Sequence, residues 1–217
     1  MFNRIKEFYR RQRIKFLKLK MVQPNYAFKE VFQKGDIAVD IGTGDDPDFS
    51  VLMIRNYGLE CYAFDPTRKH ASVLRNFEEK LNGFHYFQYA FGSKDGRGEF
   101  FESIDNMSGS LLKEHRNIIN DRMIRYDVEM ITMGTLLSMI PNSNIAIMKI
   151  DIEGAEFDFI KALDLSLLNK VKQLIIEFHH DTIANISLND TKKAVARIKK
   201  SGMKAFSYNG RDYLFYW

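Results

Sequence analysis

A single cysteine, Cys61, occurs in 217 residues, so the chain holds no disulfide within itself. A lone thiol between apolar neighbours in GLECYAF fits a reducing, intracellular compartment. No stretch approaches the ~18 consecutive apolar residues that a membrane-spanning helix needs. The N-terminus also lacks the uninterrupted apolar region of a secretory signal. Internal repeats, low-complexity tracts and an interdomain linker are missing too. Apolar residues make up 45% and charged residues 28%, which excludes a disordered chain, a collagen-like repeat and a mucin-like stalk. A chain this long buries about 70% of its unfolded surface, enough for one large domain without cross-links.

Acidic residues are scarce only at the start. Residues 1–20 carry eight Lys and Arg against Glu7 alone, a net +7, which leaves −3 on the other 197 residues of a chain whose total is +4. The body is therefore mildly acidic. That argues against a nucleic-acid groove spread over the domain, and nucleic acid is not expected as a partner. Within the leader, Phe2, Ile5, Phe8 and Tyr9 recur every three to four residues, continued loosely by Ile14, Leu17 and Met21. Two readings stay open. The stripe packs on the domain, followed by a turn at Pro24-Asn25; or residues 1–20 lie on an anionic membrane, at the inner face for a cytoplasmic protein. The division expected is a basic helical leader over 1–34 and one α/β domain over 35–217.

Short apolar runs predict buried parallel strands at 37–42, 61–65, 84–91, 145–151 and 174–178. Helices are expected between them, around 49–57, 69–81, 154–163 and 190–201, with Gly58 closing the first. Residues 205–208 and 213–217 flank Asn209-Gly210, a tight-hairpin dipeptide. Strands alternating with helices give a mostly parallel sheet, and the hairpin adds antiparallel pairing at one edge. An insertion at about 98–132 interrupts the alternation, with strands expected at 98–102 and 126–132. The polar stretch between them, Ser103 to Arg125, is expected to be a lid or substrate loop, or else a plain surface excursion.

Four of these strands end in or beside a carboxylate: Asp40, Asp65, Asp151 and Glu177. In open α/β sheets that edge is where ligands bind. Asp40-Ile41-Gly42-Thr43-Gly44 is a glycine turn of the kind that brings backbone close to a ligand. A pyrophosphate loop would place a third glycine at Pro47, and Asp45, Asp46 and Asp48 would oppose the phosphates by ~4 kcal/mol each at ~4 Å. NAD is disfavoured. A positively charged adenosine compound without phosphates, S-adenosylmethionine, fits better. Asp65 stands where an acid binds ribose hydroxyls, or else caps the turn Pro66-Thr67. Asp40 is placed to meet the ammonium, and Tyr89-Ala90-Phe91 to offer an apolar slot for adenine.

The stretches VDIGTGDDPDFS (39–50), AFDPT (63–67), YAFGSKDG (89–96), MKIDIEGAEFDFIKAL (148–163) and LIIEFHH (174–180) resemble the FkbM family of S-adenosylmethionine-dependent methyltransferases. The resemblance spans roughly residues 36–217. It implies a three-layer, Rossmann-like class I methyltransferase fold with seven strands, the last antiparallel. It also implies O-methylation of a sugar, glycan or secondary-metabolite hydroxyl. By position, Asp40, Gly42, Thr43 and Gly44 correspond to the methionine-side loop, Asp65 to the ribose acid, and Ala90 and Phe91 to the adenine contacts.

A hydroxyl acceptor needs its proton removed, a task worth about 10²–10⁴-fold. Asp151 is the first candidate base and His179 the second, since imidazole titrates near neutrality. Asp151 competes with a capping role for the helix near Gly154. Ser108, Ser110, His115 and Glu177 are the candidate substrate contacts. No metal is expected: His179-His180-Asp181 face alternate ways along a strand, and no other histidine has ligand spacing. Two further readings are a non-catalytic cofactor-binding module and a nucleotide-dependent sugar oxidoreductase or epimerase.

Overall fold

The computed structural model describes residues 11–22, 26–141 and 144–217. Its centre is a seven-stranded sheet. The parallel strands are β3 (Ile37–Ile41), β4 (Glu60–Phe64), β5 (Phe84–Phe87), β10 (Ile145–Ile150) and β11 (Gln173–Glu177), joined by β12 (Lys204–Ser207) and β13 (Asp212–Tyr216). The spatial order is β12-β13-β11-β10-β3-β4-β5, and β13 runs antiparallel to both of its neighbours. This is the expected α/β architecture, with the Asn209-Gly210 turn inside the terminal hairpin. Strand order reverses between β3 and β10, so the crevice of this sheet lies at their carboxyl ends.

The continuous apolar runs are explained by cover on both faces. Every residue of β3 and of β10 is buried. Ile37, Val39 and Ile41 pack with Met148, Ile150 and Ile176 against helices α5 (Met133–Met139), α6 (Glu156–Ala162) and α7 (Leu188–Lys199). Ala38, Ile147 and Ile175 face the other way, toward Phe49 and Met53 of helix α2 (Asp48–Tyr57). Helix α3 (Arg68–Lys80) closes that side through Leu74 against Ala63 and Phe84. Each such buried side chain contributes about 1.5–3 kcal/mol. Gly58 ends α2 in the left-handed conformation (φ 67°), its N–H donating to the Ile54 carbonyl and the Leu59 N–H to that of Met53.

The aromatic run 84–91 is not one strand. It splits into β5 and β6 (Ala90–Phe91), because the Tyr89 N–H turns back to the Phe87 carbonyl (3.0 Å). Strand β6 leaves the main sheet and starts a second one with β7 (Gly96–Ser103), β8 (Gly109–Ser110) and β9 (Met123–Ile131), in the order β6-β9-β7-β8. The strands expected at 98–102 and 126–132 are β7 and β9, and they belong to a small sheet with its own core of Ala90, Phe100, Val128 and Met130. A short helix, α4 (Arg116–Ile119), sits between β8 and β9.

Residues 1–10 of the leader and the Pro24-Asn25 turn lie outside the described residues. The described part is helical over 11–17 (α1) and continues into the hairpin β1 (Lys20–Val22) and β2 (Tyr26–Phe28). Leu19, Ala27 and Phe28 are buried with Phe49 and Met53, and Ile14 and Leu17 pack against the same cluster. Gln173 ties this segment to β11: its Oε1 accepts from the Lys29 N–H (2.7 Å) and its Nε2 donates to the Lys29 carbonyl (3.0 Å). Among the described residues, no helix is long and apolar enough to cross a membrane.

Candidate active site

One cleft opens at the crevice between β3 and β10. Gly42, Thr43 and Gly44 line it after β3, Asp65 after β4, Ala90 and Phe91 from β6, Asp151 after β10, and Ser108 from the insertion. The two glycines do different work. The Gly42 N–H donates to the Phe64 carbonyl (2.8 Å) at φ +74°, and a Cβ there would stand 1.6 Å from the Asp151 carbonyl oxygen. Its missing side chain therefore lets β10 close on β3, where sequence reasoning had a ligand approaching. At Gly44 a Cβ would meet no atom nearer than 4.0 Å, so this glycine does face open space.

Asp65 is 4% exposed and heavily bonded. It accepts from the N–H groups of Gly44 and Thr67 (both 2.8 Å), and His70 Nδ1 lies 3.3 Å away. Burial pushes its carboxyl up, but the bonds from His70, Thr67 and Gly44 prevail and hold it below the usual range. The Asp65 carboxylate thus caps the turn at Thr67 and lines the cleft at once. Asp45, Asp46 and Asp48 line the same wall.

Asp40 does not reach the cleft. It is 1% exposed, bonded by Ser50 Oγ (2.7 Å) and by Lys149 Nζ (3.3 Å). The ammonium expected to meet it is this chain's own. Lys149 also donates to the Gly42 carbonyl (3.1 Å) and lies 3.6 Å from Asp151 Oδ2. Burial disfavours the charged amine, yet Asp40 and Asp151 outweigh it and keep Lys149 protonated well above its ordinary value.

Tyr26, on β2, also lines the cleft, packed edge-on against Phe49 at 5.4 Å with its hydroxyl 3.3 Å from Asp48 Oδ1. Sequence reasoning missed it, since nothing in the leader's pattern marks one residue as crossing to the sheet edge.

At the cleft floor, Asp151 meets a histidine ringed by acids. His179 is 2% exposed. Its Nδ1 lies 2.9 Å from Glu156 Oε1, and its Nε2 is 3.5 Å from Glu153, 3.6 Å from Asp151 and 3.7 Å from Glu177. Burial works against the imidazolium, but Glu156, Glu153 and Asp151 override it and raise His179 to about 10. Asp151 is raised to about 7 by burial, with Lys149 opposing and Glu177 adding. Its Oδ1 has no hydrogen-bond partner among the described residues. Asp151 does not cap α6. Nor does any other side chain among the described residues, and Glu156 Oε1 instead ties the preceding turn by accepting from the N–H groups of Ile152 (3.1 Å) and Gly154 (3.2 Å).

Of the expected substrate contacts, only Ser108 lines the cleft. Ser110 is buried, donating to the Glu153 carbonyl (2.7 Å). His115 is buried as well: Nε2 lies 2.7 Å from Glu153 Oε2, and Nδ1 accepts from the Asn117 N–H at the start of α4. Both hold the insertion onto the loop after β10, which is why they are inaccessible. Glu177 is paired with Arg211.

The family profile of the Methyltransferase FkbM domain matches residues 24–200 of this sequence. The chain belongs to the FkbM methyltransferase family. It is an S-adenosylmethionine-dependent methyltransferase of the class I fold, which sets aside the oxidoreductase and epimerase readings. No curated protein matches the chain. Among solved structures it is similar to a fibrillarin/Nop5p complex, at 11% identity and TM-score 0.52, over 96% of this chain and 80% of that one. It is also similar to an rRNA methylase from Streptococcus thermophilus (12%, TM-score 0.48, 86% and 87% covered). A third is Streptococcus pneumoniae Sp1610, a putative tRNA (m1A22) methyltransferase in complex with S-adenosyl-L-methionine (11%, TM-score 0.42, 84% and 65% covered). The exclusion of nucleic acid is corrected, because the likeness to the fibrillarin/Nop5p complex shows a fold and restricts no class of acceptor. Net charge sums over the whole surface and does not report one local groove.

Proposed function

We propose that this FkbM methyltransferase methylates a hydroxyl oxygen, of a sugar, a glycan or a secondary metabolite. The observation that carries the reading is the cleft-facing Asp151 with an unspent Oδ1, beside His179, at the end of β10. A hydroxyl nucleophile must lose its proton as the new bond forms, and a carboxylate raised to about 7 is suited to take it at neutral pH.

The residues present fit the cofactor. Gly44 leaves backbone open to the cleft, Asp65 is an ionised acid beside it, and Ala90 and Phe91 form an apolar wall. Asp65 would hold the ribose diol, Gly42–Gly44 the methionine end, and Ala90 and Phe91 the adenine face. When bound, S-adenosylmethionine supplies an electrophilic methyl group whose carbon–sulfur bond breaks as the carbon–oxygen bond forms. The chain's share is alignment of the acceptor and removal of its proton by Asp151.

The test is Asp151→Asn assayed against a panel of sugar and metabolite hydroxyls, with S-adenosylhomocysteine binding followed by calorimetry. A loss of 10²–10⁴-fold in turnover with cofactor binding kept is expected. Undiminished turnover in the variant would remove Asp151 from the chemistry. Cofactor binding without transfer to any hydroxyl would favour a non-catalytic binding module.

A further inference from the structure

The floor of the cleft carries more ligating atoms than proton transfer uses. Asp151 Oδ, Glu177 Oε and His179 N each offer one atom, and these atoms lie within 4.8 Å of one another. Sequence spacing could not show this, because the three come from the ends of two neighbouring strands. His180, adjacent to His179, turns away to Thr191 Oγ1 (3.1 Å).

We infer that Asp151, Glu177 and His179 form a binding site for one divalent first-row metal ion. The orientation of His179 carries the argument beyond the acids. Its Nδ1 is held by Glu156, which is itself fixed by two backbone N–H groups. That directs Nε2 into the group of carboxylates, where it sits 3.5–3.7 Å from three of their oxygens. A buried imidazole with one nitrogen on a carboxylate and the other aimed at open ligand positions is the usual arrangement of a metal-bound histidine. Atoms about 2.1 Å from a shared ion stand about 3.0–3.5 Å apart, so a small side-chain adjustment closes the set. Asp151 Oδ1, which has no hydrogen bond among the described residues, is an unspent ligand atom.

Charge supports an added cation. Asp151, Glu153, Glu156 and Glu177 surround His179, and the fixed cations facing them are Lys149, which Asp151 shares with Asp40, and Arg211 on Glu177. His115 lies on Glu153 from the insertion, and Asp181 adds a further, more exposed acid near Arg211. A divalent ion bound there would offset part of this negative charge. Mixed carboxylate and imidazole ligands suit Mn²⁺, Fe²⁺ or Zn²⁺. Only the use of the ion rests on the proposed O-methylation: held there, it would polarise the acceptor oxygen and ease loss of its proton.

The experiment titrates the chelator-treated full chain with Mn²⁺ alone, reading the free ion by electron paramagnetic resonance. Zn²⁺ is then added as a competitor. About one Mn²⁺ per chain is expected, displaced by Zn²⁺, with affinity reduced at least tenfold in H179Q and in E177Q. Calorimetry with S-adenosylhomocysteine checks that the variants keep their fold. Should they not fold, broadening of the His179 ring resonances by Mn²⁺ in the unaltered chain locates the ion. Failure of either ion to bind at millimolar concentration, while S-adenosylhomocysteine still binds, overturns the site and leaves the imidazolium as its occupant. Because no methyl transfer is read, an ion bound without O-methylation defeats only the proposed reaction. Methyl transfer by metal-free protein, assayed separately, would defeat only the ion's part in the reaction and not its binding.

Discussion

The α-carbon of Gly42 faces the carbonyl of Asp151 so closely that a methyl group on it would stand 1.6 Å from that oxygen. The contact joins the two strand ends that frame the cleft, alongside the Asp151 N–H bond to the Ile41 carbonyl (2.9 Å). Gly42→Ala meets both a backbone clash and a left-handed φ. We expect a loss above ~4 kcal/mol, seen as a fall of more than ~10 °C in Tm or as insoluble protein. Gly44→Ala has the strained φ but open space, and should cost about 1–2 kcal/mol. Equal effects at the two positions would contradict this division of labour.

Among the described residues, Lys149 is the cation paired with the buried Asp40 at the β3–β10 edge, and the Ser50 hydroxyl brings no charge. Removing one partner of a buried pair costs about 3–5 kcal/mol, because the other charge is left uncompensated. Lys149→Met should therefore lower stability in urea by that order. Adding Asp40→Asn should recover a good part of it. A double variant no more stable than the single one would show that the pair is not coupled.

The strand-and-helix alternation was legible because β3, β10 and β11 are covered on both faces and so read as unbroken apolar runs. The split of 84–91 was not, since Ala90 and Phe91 are as apolar as the strand before them and only the Tyr89 turn separates the two sheets. Acids at strand ends pointed to the cleft, where Asp65 and Asp151 stand. Which acids were already spent is a matter of partners: Lys149 on Asp40 and Arg211 on Glu177 come from far along the chain. Ser110 and His115 are polar residues in a loop, and nothing local distinguishes a substrate contact from a buried tether.

Tyr26 brings the N-terminal hairpin into the cofactor cleft, so residues before the first sheet strand should affect binding. Tyr26→Ala removes both the wall of the cleft and the packing on Phe49. We expect S-adenosylhomocysteine affinity to fall about tenfold, within the 1–2 kcal/mol that an aromatic contact of this kind contributes. Tyr26→Phe keeps the ring and gives up only a 3.3 Å bond to Asp48, so it should bind within about threefold of the unaltered chain. Calorimetry on both variants decides whether the ring or the hydroxyl matters.

Asp65 ties the cleft to acid stability. Its carboxyl lies below the ordinary 3.8 in the folded chain, burial being outweighed by its bonds to His70, Thr67 and Gly44. A group whose folded pKa is depressed stabilises the fold above its unfolded pKa and loses that contribution as pH falls through the folded one. The stabilisation is thus complete at neutral pH and declines below about pH 4. Asp65→Asn cannot titrate, so its unfolding free energy in urea should fall less steeply than the parent's between about pH 5 and pH 2. At pH 7 the variant should be less stable and should bind S-adenosylhomocysteine more weakly, since the same carboxylate faces the cleft. Parallel acid limbs in parent and variant would mean that the Gly44 and Thr67 bonds do not depend on the charge they surround.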